Sequence, residues 1–284
     1  MLLITGAHGM VGSYAKEVFG NENIYLSDIP EMDITDQNKV KEVFAKVKPK
    51  VVIHLAAETD VDRCEKEPDH AFRTNTIGTQ NIALECYKYD AEMVYIGTGS
   101  IFNTEGIHTE YDEPNPICVY AKSKLEGEKI VQSFLQKYYI FRASFMIGGG
   151  RAKDKKFVGK IIQFCLEGKK EIMAVNDKHG TPTFAKDLLK GIKEFIKTGN
   201  YGLYHLGNNG ICSRYDIAKK IVEIIGSDTK VISVTSDKFP LPAPRTPSEA
   251  IRNYKLELMG MNMMRPWVES LKEYIEDWRK QDNA

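Results

Sequence analysis

The sequence carries no excess of charge of either sign. Its 284 residues include 39 lysines and arginines and 39 aspartates and glutamates, so the formal net charge at pH 7 is zero. Nucleic acids and anionic membranes attract proteins through a broadly basic surface, and this composition provides none. We therefore predict no nucleic-acid partner and no membrane partner, although a local cationic pocket is compatible with the balance.

Cysteine is scarce and histidine is scattered. The five cysteines are odd in number and contain no Cys-x-x-Cys pair, whereas structural zinc sites use closely spaced cysteines and histidines. The six histidines do not cluster either. We predict no metal site and free thiols, which are typical of a reducing compartment such as the cytoplasm.

Long hydrophobic runs are also missing. A membrane-spanning helix needs about 20 apolar residues, and no stretch of the chain approaches this length. The chain starts directly with a strand-like run, Leu2-Leu3-Ile4, and shows no signal-peptide pattern. We expect a soluble, cytoplasmic protein.

The first half of the chain alternates short apolar runs with helical segments. Strands are predicted over 2–5, 23–27, 51–55, 93–96 and 139–142, and helices over 10–19, 37–46, 69–89 and 120–136. This βαβ alternation predicts an α/β fold with a Rossmann-type, doubly wound parallel sheet. Ligands of such sheets bind at the carboxyl ends of the strands.

A glycine-rich break at 148–150 divides the chain. We predict an NAD(P)-binding Rossmann domain over 1–147 and a smaller α/β lobe over 148–284 that mainly binds substrate, with segments near 170–205 returning to the first domain. The proline-rich stretch 240–247 must be a loop or lid, because prolines remove N–H donors and fix φ. Further helices are predicted over 157–167, 187–197, 214–225 and 267–280, and strands over 204–206 and 230–234.

Three glycines follow the first predicted strand and open the first predicted helix. Their Gly-x-x-Gly-x-x-Gly spacing lets the backbone turn tightly and approach a pyrophosphate, while the helix N-terminus offers free N–H groups. We therefore predict a dinucleotide-binding turn. Its residues are Gly6, His8, Gly9, Met10, Val11 and Gly12.

Asp28 ends the second predicted strand, 22 positions after Gly6. A carboxylate there accepts hydrogen bonds from the adenosine ribose and repels a 2′-phosphate, which favours NAD(H) without excluding NADP(H). The alternative is that Asp28 caps a turn. Asp33 and Ile34 are candidates for the adenine edge, but Asp33 could equally cap the next helix.

Tyr120 and Lys124 lie four residues apart, on one face of a predicted helix. The lysine can hold the nicotinamide ribose and lower the pKa of the tyrosine, and the tyrosine can give a proton to a carbonyl oxygen. The spacing alone is common. Thr98, at the end of the fourth strand, can donate a hydrogen bond to the reacting oxygen. Together with the dinucleotide turn, these three residues predict an NAD(P)-dependent oxidoreductase.

With these motifs the chain resembles the extended short-chain dehydrogenase/reductase superfamily and, within it, the dTDP-4-dehydrorhamnose reductase family. The resemblance runs nearly end to end. Its landmarks are 6–12, 54–62, 75–81, 120–128, 180–183 with Asp187, and 243–245. It implies NAD(P)H-dependent reduction of the 4-keto group of a nucleotide-activated deoxysugar, with dTDP-4-dehydrorhamnose and dTDP-rhamnose as the leading substrate and product.

The resemblance also assigns residues outside the catalytic trio. The cofactor-lining residues would be Leu55, Ala56 and Ala57, and the substrate-facing residues would be Thr59 and Asp60. Arg245 would lie near the nucleotide diphosphate, for which a bidentate guanidinium is suited; the alternative is a surface salt bridge. Asn75 would stabilise the helix beside the active site, and His54 reads best as a core histidine.

Three departures from the family pattern concern the sugar pocket. The family usually reads Ser-Thr-Asp-Tyr-Val-Phe where this chain has Gly-Thr-Gly-Ser-Ile-Phe over 97–102, so an aspartate and a tyrosine become Gly99 and Ser100. A tryptophan of the family becomes Phe145, which keeps an aromatic wall without its N–H donor. Cys118 and Val119 also precede the tyrosine where the family often has a polar residue. Ser100 and Phe145 are candidate substrate residues.

Two other functions stay open at this point. One is a sugar-nucleotide epimerase or a different reductase of the superfamily; the other is a non-catalytic regulatory subunit that holds a dinucleotide, as relatives of this family do. A dehydratase is disfavoured, because Gly99 and Ser100 supply no acidic pair. The helices over 71–89 and 120–136 match those that commonly pair in this superfamily, which predicts a homodimer.

Overall fold

The computed structural model describes residues 1–20 and 23–280. Its strands are β1 (Leu2–Thr5), β2 (Ile24–Ser27), β3 (Val51–His54), β4 (Glu92–Thr98), β5 (Tyr138–Ala143), β6 (Met146–Ile147), β7 (Glu171–Val175), β8 (His179–Gly180), β9 (Thr183–Phe184), β10 (Gly202–His205), β11 (Cys212–Ser213), β12 (Lys230–Val234) and β13 (Ser248–Glu249). Its α-helices are α1 (Ala15–Phe19), α2 (Gln37–Val47), α3 (Val61–Lys66), α4 (Pro68–Phe72), α5 (Thr79–Lys88), α6 (Val119–Phe134), α7 (Gly150–Lys153), α8 (Phe157–Leu166), α9 (Ala185–Phe195), α10 (Arg214–Ile225), α11 (Tyr254–Leu258) and α12 (Trp267–Lys280).

Six parallel strands form the central sheet, in the order β10-β5-β4-β3-β1-β2. Leu3, Ile4, Val52 and Ile53 have no exposed surface, because helices cover both faces of the sheet. The predicted α/β fold with a doubly wound parallel sheet is confirmed. The chain runs outward in both directions from β1, so the binding crevice is expected beyond the carboxyl ends of β1 and β3.

The second lobe has its own hydrophobic core, built on α8, α10 and α12. Its sheets are small: β7 pairs in parallel with β12, and β8 lies between β11 and β13. Of the segment 170–205, β7 belongs to this lobe. In contrast, α9 packs against α1, and β10 adds a strand to the central sheet. The stretch 240–247 is irregular, as its prolines predict.

The helix predicted over 69–89 is observed as a continuous helical run over 68–88, but it is not α-helical throughout, because three segments occupy this range. Pro68 starts α4, where its missing N–H costs nothing, and a π-helical turn, Arg73–Gly78, separates α4 from α5. The first helix is also shorter than predicted, since a 3₁₀ turn, Gly12–Tyr14, precedes α1. In the described ranges, no helix is both long and apolar enough to cross a bilayer.

Candidate active site

The glycine turn packs tightly against the start of the loop after β3. Gly6 has φ +62°, and a Cβ there would lie 2.6 Å from the backbone nitrogen of Ala56. Among residues 1–20 and 23–280, nothing accepts a hydrogen bond from the backbone N–H of Met10 or Val11. A tight turn with free N–H groups fits the diphosphate of a dinucleotide.

Asp28 lies beside this turn and helps to fix it. Its carboxylate accepts the backbone N–H of His8 at 2.7 Å and that of Ile29 at 2.8 Å. The His8 side chain is 80% exposed, and its carbonyl oxygen accepts a hydrogen bond from Lys153. The turn-capping interpretation of Asp28 is therefore correct, and a role toward the ribose stays a prediction.

Asp33 and Ile34 have structural tasks. The Asp33 carboxylate accepts the backbone N–H and the hydroxyl of Thr35, at 2.9 and 2.8 Å. Asp36, not Asp33, caps α2, so the helix-cap alternative for Asp33 is wrong. Ile34 is 5% exposed and packs in the core against Gly78. Their contact with adenine stays a prediction.

A buried hydrogen-bond network lies at the carboxyl ends of β1 and β3. Thr5 Oγ1 accepts the backbone N–H groups of Leu55 and Ala56, and it lies 2.8 Å from His54 Nδ1. Nε2 of His54 lies 3.2 Å from Thr79 Oγ1. Burial, together with the charge of Lys124, lowers the pKa of His54 to about 3. The residue is a neutral core histidine that orders the loop after β3.

Asn75 joins the loop after β3 to α6. Its side chain accepts the Glu58 N–H at 2.8 Å and donates to the Glu58 carbonyl and to Ser123 Oγ, both at 3.0 Å. Ser123 Oγ in turn donates to the Tyr120 carbonyl. The π-helical turn inserts an extra residue here and contains Asn75. The structural role expected of Asn75 is consistent with these contacts.

Thr98 and Tyr120 are brought together by β4 and α6. Burial raises the pKa of the half-buried Tyr120 phenol, and the hydrogen bond with Thr98 acts in the opposite direction. The expectation that the tyrosine pKa is lowered is therefore wrong for the free protein. A neutral phenol is the form that can donate a proton.

Lys124 is 5% exposed, and its Nζ lies 4.1 Å from the ring centroid of Tyr95. Burial lowers the pKa of Lys124 to about 7, while the nearby Glu128 carboxylate acts against this shift. The ammonium is therefore poorly solvated in the free protein, and ribose hydroxyls would give it polar partners.

Next to Thr98 the structure places an acid that the sequence did not reveal. Ser100 Oγ donates to Glu249 Oε2 at 2.9 Å and accepts from Thr98 Oγ1 at 3.2 Å. Glu249 arrives on β13, and a Cβ at position 99 would lie only 3.1 Å from its carbonyl oxygen. Gly99 thus lets β13 approach. No local sequence signal marks Glu249, because it lies 149 residues from Ser100 along the chain and is placed there by the pairing of β13 with β8.

The remaining candidates lie around the pocket. Asp60 caps α3 by accepting the N–H groups of Asp62 and Arg63. Arg245 pairs with Asp62 at 2.9 Å, as its salt-bridge alternative anticipated. Phe145 packs its ring over Gly180. Substrate contacts by these residues, and by the exposed Thr59, stay predictions. Among the described residues, no cluster of three or more His, Cys, Asp or Glu could hold a metal.

A dinucleotide turn and a Thr–Tyr–Lys group at the carboxyl edge of a doubly wound sheet define an extended short-chain dehydrogenase/reductase. The model of the RmlD substrate binding domain matches residues 1–280. The chain belongs to this family.

Several known proteins resemble the chain over nearly its whole length. The spore coat polysaccharide biosynthesis protein SpsK of Bacillus subtilis is 35% identical, with 97% of each chain covered. The crystal structure of a dTDP-4-dehydrorhamnose reductase from Clostridium acetobutylicum is 39% identical and has a TM-score of 0.92, with coverage of 98% and 99%. A dTDP-4-dehydrorhamnose reductase from Bacillus anthracis, in complex with NADP, is 34% identical with a TM-score of 0.91, and coverage is 97% and 98%.

Proposed function

We propose that this protein reduces the 4-keto group of a nucleotide-activated 6-deoxysugar with NAD(P)H, converting dTDP-4-dehydrorhamnose to dTDP-rhamnose. The observation that carries the proposal is the placement of Thr98, Tyr120 and the buried Lys124 together where β4 and α6 meet at the carboxyl edge of the sheet. The family membership and the reductases that match along the whole chain support the same reaction.

The residues of the chain divide the work as follows. The turn over 6–12 and the loop at 55–57 hold the dinucleotide, and Asp28 favours NAD(H) through its negative charge. When bound, the nicotinamide supplies a hydride to the sugar carbon. Thr98 orients the keto oxygen, and the neutral Tyr120 gives that oxygen its proton. Lys124 positions the nicotinamide ribose. The ribose hydroxyls give the Lys124 ammonium the polar partners that it lost when burial removed its water.

The substrate side of the proposal concerns a pocket that differs from the usual family pattern. Ser100 and Glu249 stand where a hydroxyl of the sugar could bind, and Phe145 forms an aromatic wall. The family pattern has an aspartate and a tyrosine at positions 99 and 100. In this chain the Ser100 hydroxyl and the Glu249 carboxylate are the polar groups proposed to take their place. The nucleotide sugar is the proposed small-molecule partner. The five free, buried cysteines support a cytoplasmic location.

The test is a cofactor-oxidation assay with purified protein. Wild-type protein given dTDP-4-dehydrorhamnose and NADH or NADPH should consume the 340 nm absorbance. Tyr120→Phe should lower kcat by about 10²–10⁴-fold, the usual range for a lost general acid, while cofactor binding is unchanged. Absence of turnover with either cofactor across several 4-keto sugar nucleotides would refute a reductase. Cofactor that stays bound after purification, together with sugar inversion, would favour an epimerase instead.

A further inference from the structure

Arg214, the first residue of α10, has an unusual environment. Its guanidinium carbon lies 4.9 Å from the ring centroid of Phe145 and 5.3 Å from that of Phe157, so two aromatic rings hold the group. Across residues 1–20 and 23–280, no hydrogen bond or salt bridge uses this guanidinium. By contrast, the half-buried Arg265 is paired with two carboxylates. The two rings flank the guanidinium, and its N–H groups have no acceptor among the described residues.

The small sheet of β8, β11 and β13 links the position of Arg214 to that of Ser100. Gly180 on β8 stands in register with Cys212 on one side and Glu249 on the other. Arg214 follows β11 directly, and Glu249 on β13 contacts Ser100. The charges of Glu249 and Arg245 both act on Arg214, but neither group lies within ion-pair distance of it. Arg214 therefore borders the same pocket as the Thr98–Tyr120 pair.

Phe145 is held in this position against its backbone preference. Its φ is +35°, in the left-handed region that non-glycine residues avoid, and such strain persists only where the surroundings impose it. A Cβ on Gly180 would lie 2.5 Å from Phe145 Cε1, so this position must be glycine for the ring to fit. The strained Phe145 and Gly180 together place one of the two rings that flank Arg214.

The chemistry of this arrangement selects an anion. A stacked guanidinium with a free edge presents two parallel N–H donors, which suit phosphate oxygens. Arg245, kept in place by Asp62, adds a second positive charge nearby. Burial lowers the pKa of Arg214 because its charge is poorly solvated, and a bound dianion would offset that cost. The negative charge of Glu249 would repel phosphate. Its carboxylate accepts a hydrogen bond from Ser100, in the part of the pocket proposed for the sugar.

We propose that Arg214 binds the diphosphate of the nucleotide sugar through its free N–H edge, with Arg245 as the second cation. The inference rests on the proposed function for the identity of the ligand, a nucleoside diphosphate sugar. It assigns the diphosphate to a residue that carries no motif and that was not among the candidates from sequence. Its role is substrate binding, so KM should respond more than kcat.

The test measures binding without turnover. Cofactor-loaded wild-type protein, Arg214→Lys and Arg214→Met are titrated by calorimetry with dTDP, with UDP and with thymidine. Arg214→Lys should weaken binding of the nucleoside diphosphate by at least tenfold, because lysine keeps the charge but loses the stacked fork. Thymidine and cofactor binding should not change. The matched control is Arg73→Lys, since Arg73 is an exposed arginine of the first lobe.

Two results would overturn the proposal. One is wild-type affinity for dTDP and UDP in Arg214→Met. The other is an equal loss of diphosphate, thymidine and cofactor binding with a lowered melting temperature, which would mean that Arg214 only supports the fold. Because no step depends on turnover, diphosphate binding through Arg214 and failure to reduce any 4-keto sugar can be told apart.

Discussion

At the scale of single residues, burial decides the charge states of the catalytic group. Tyr120 and Lys124 are both removed from water, and each is pushed toward its neutral form: the pKa of the phenol rises and that of the ammonium falls. The spacing of the two residues in the sequence gives no information about this. A neutral tyrosine can act as a proton donor. The desolvated lysine, in contrast, lowers the folding stability of the free protein.

This cost can be measured with Lys124→Met, which replaces the lysine by an unbranched apolar side chain one atom shorter. The variant should lose most of its activity and yet unfold with a free energy about 1–4 kcal/mol higher at pH 7, because each unit by which burial lowers the Lys124 pKa corresponds to roughly 1.4 kcal/mol of penalty on the charged form. Since the folded-state pKa of Lys124 is lowered from 10.5 to about 7, the wild-type penalty is complete below pH 7. It should disappear as the pH approaches 10.5.

Chemical denaturation of both proteins at pH 6, 7, 8 and 9 checks the sign. The stability difference should shrink steadily from pH 7 upward. A variant that is less stable than wild type at pH 6 would show that the attraction between Lys124 and Glu128, not desolvation, dominates.

At the scale of elements, a buried ion pair clamps α6 to the central sheet. Arg142 on β5 donates through Nε and Nη2 to the Glu128 carboxylate on α6, with a shortest distance of 2.8 Å, and both side chains are at most 5% exposed. A Cβ on Gly97 would lie in direct conflict with Glu128 Oε1. The glycine that departs from the family pattern at this position therefore makes room for the clamp.

Breaking this clamp on one side should be costly. Arg142→Leu leaves the Glu128 charge buried and unpaired, and should lower the free energy of unfolding by about 3–5 kcal/mol. The double variant Arg142→Leu/Glu128→Leu should recover part of the loss, because the Glu128 charge is removed together with its partner, while Lys124 loses the nearby Glu128 carboxylate. Urea melts of the two single variants and the double variant form the required cycle. Additive losses in the double variant would contradict the paired arrangement.

At the scale of the whole molecule, α5 and α6 pack side by side on the first domain and expose apolar side chains. Tyr87 is 69% exposed, Ile77 46% and Phe134 37%. Large apolar groups of this kind on adjacent helices support the predicted homodimer. Light scattering should give twice the mass of one chain, and Tyr87→Glu should shift the protein to monomer. Lys41→Glu is the control, since it introduces the same residue at an exposed position of α2 in the first domain.

A dimer whose mass is unaffected by Tyr87→Glu would place the interface elsewhere. A monomeric wild-type protein at micromolar concentration would refute the homodimer itself. Neither result bears on the reductase assay, because the proposed catalytic residues Thr98, Tyr120 and Lys124 all come from one chain.

The sequence by itself determined the features that local pattern encodes. Apolar runs separated by amphipathic helices predicted the parallel sheet, and the final helix was predicted to begin at Trp267, where α12 begins. The glycine turn and the Tyr120–Lys124 spacing are also local, since each lies within one turn or one helix. The end-to-end family resemblance supplied the reaction, which the matched relatives support.

Only the tertiary structure decided what depends on contacts between distant segments. Glu249 reaches Ser100, and Arg214 enters the pocket, through a three-stranded sheet whose strands have only two residues each. Such short strands have no periodicity to read. The charge states of Tyr120, Lys124 and His54 likewise follow from burial, a property of the packed molecule. The local motifs therefore predicted the reaction, whereas the shape and charge of the proposed substrate pocket depend on the fold.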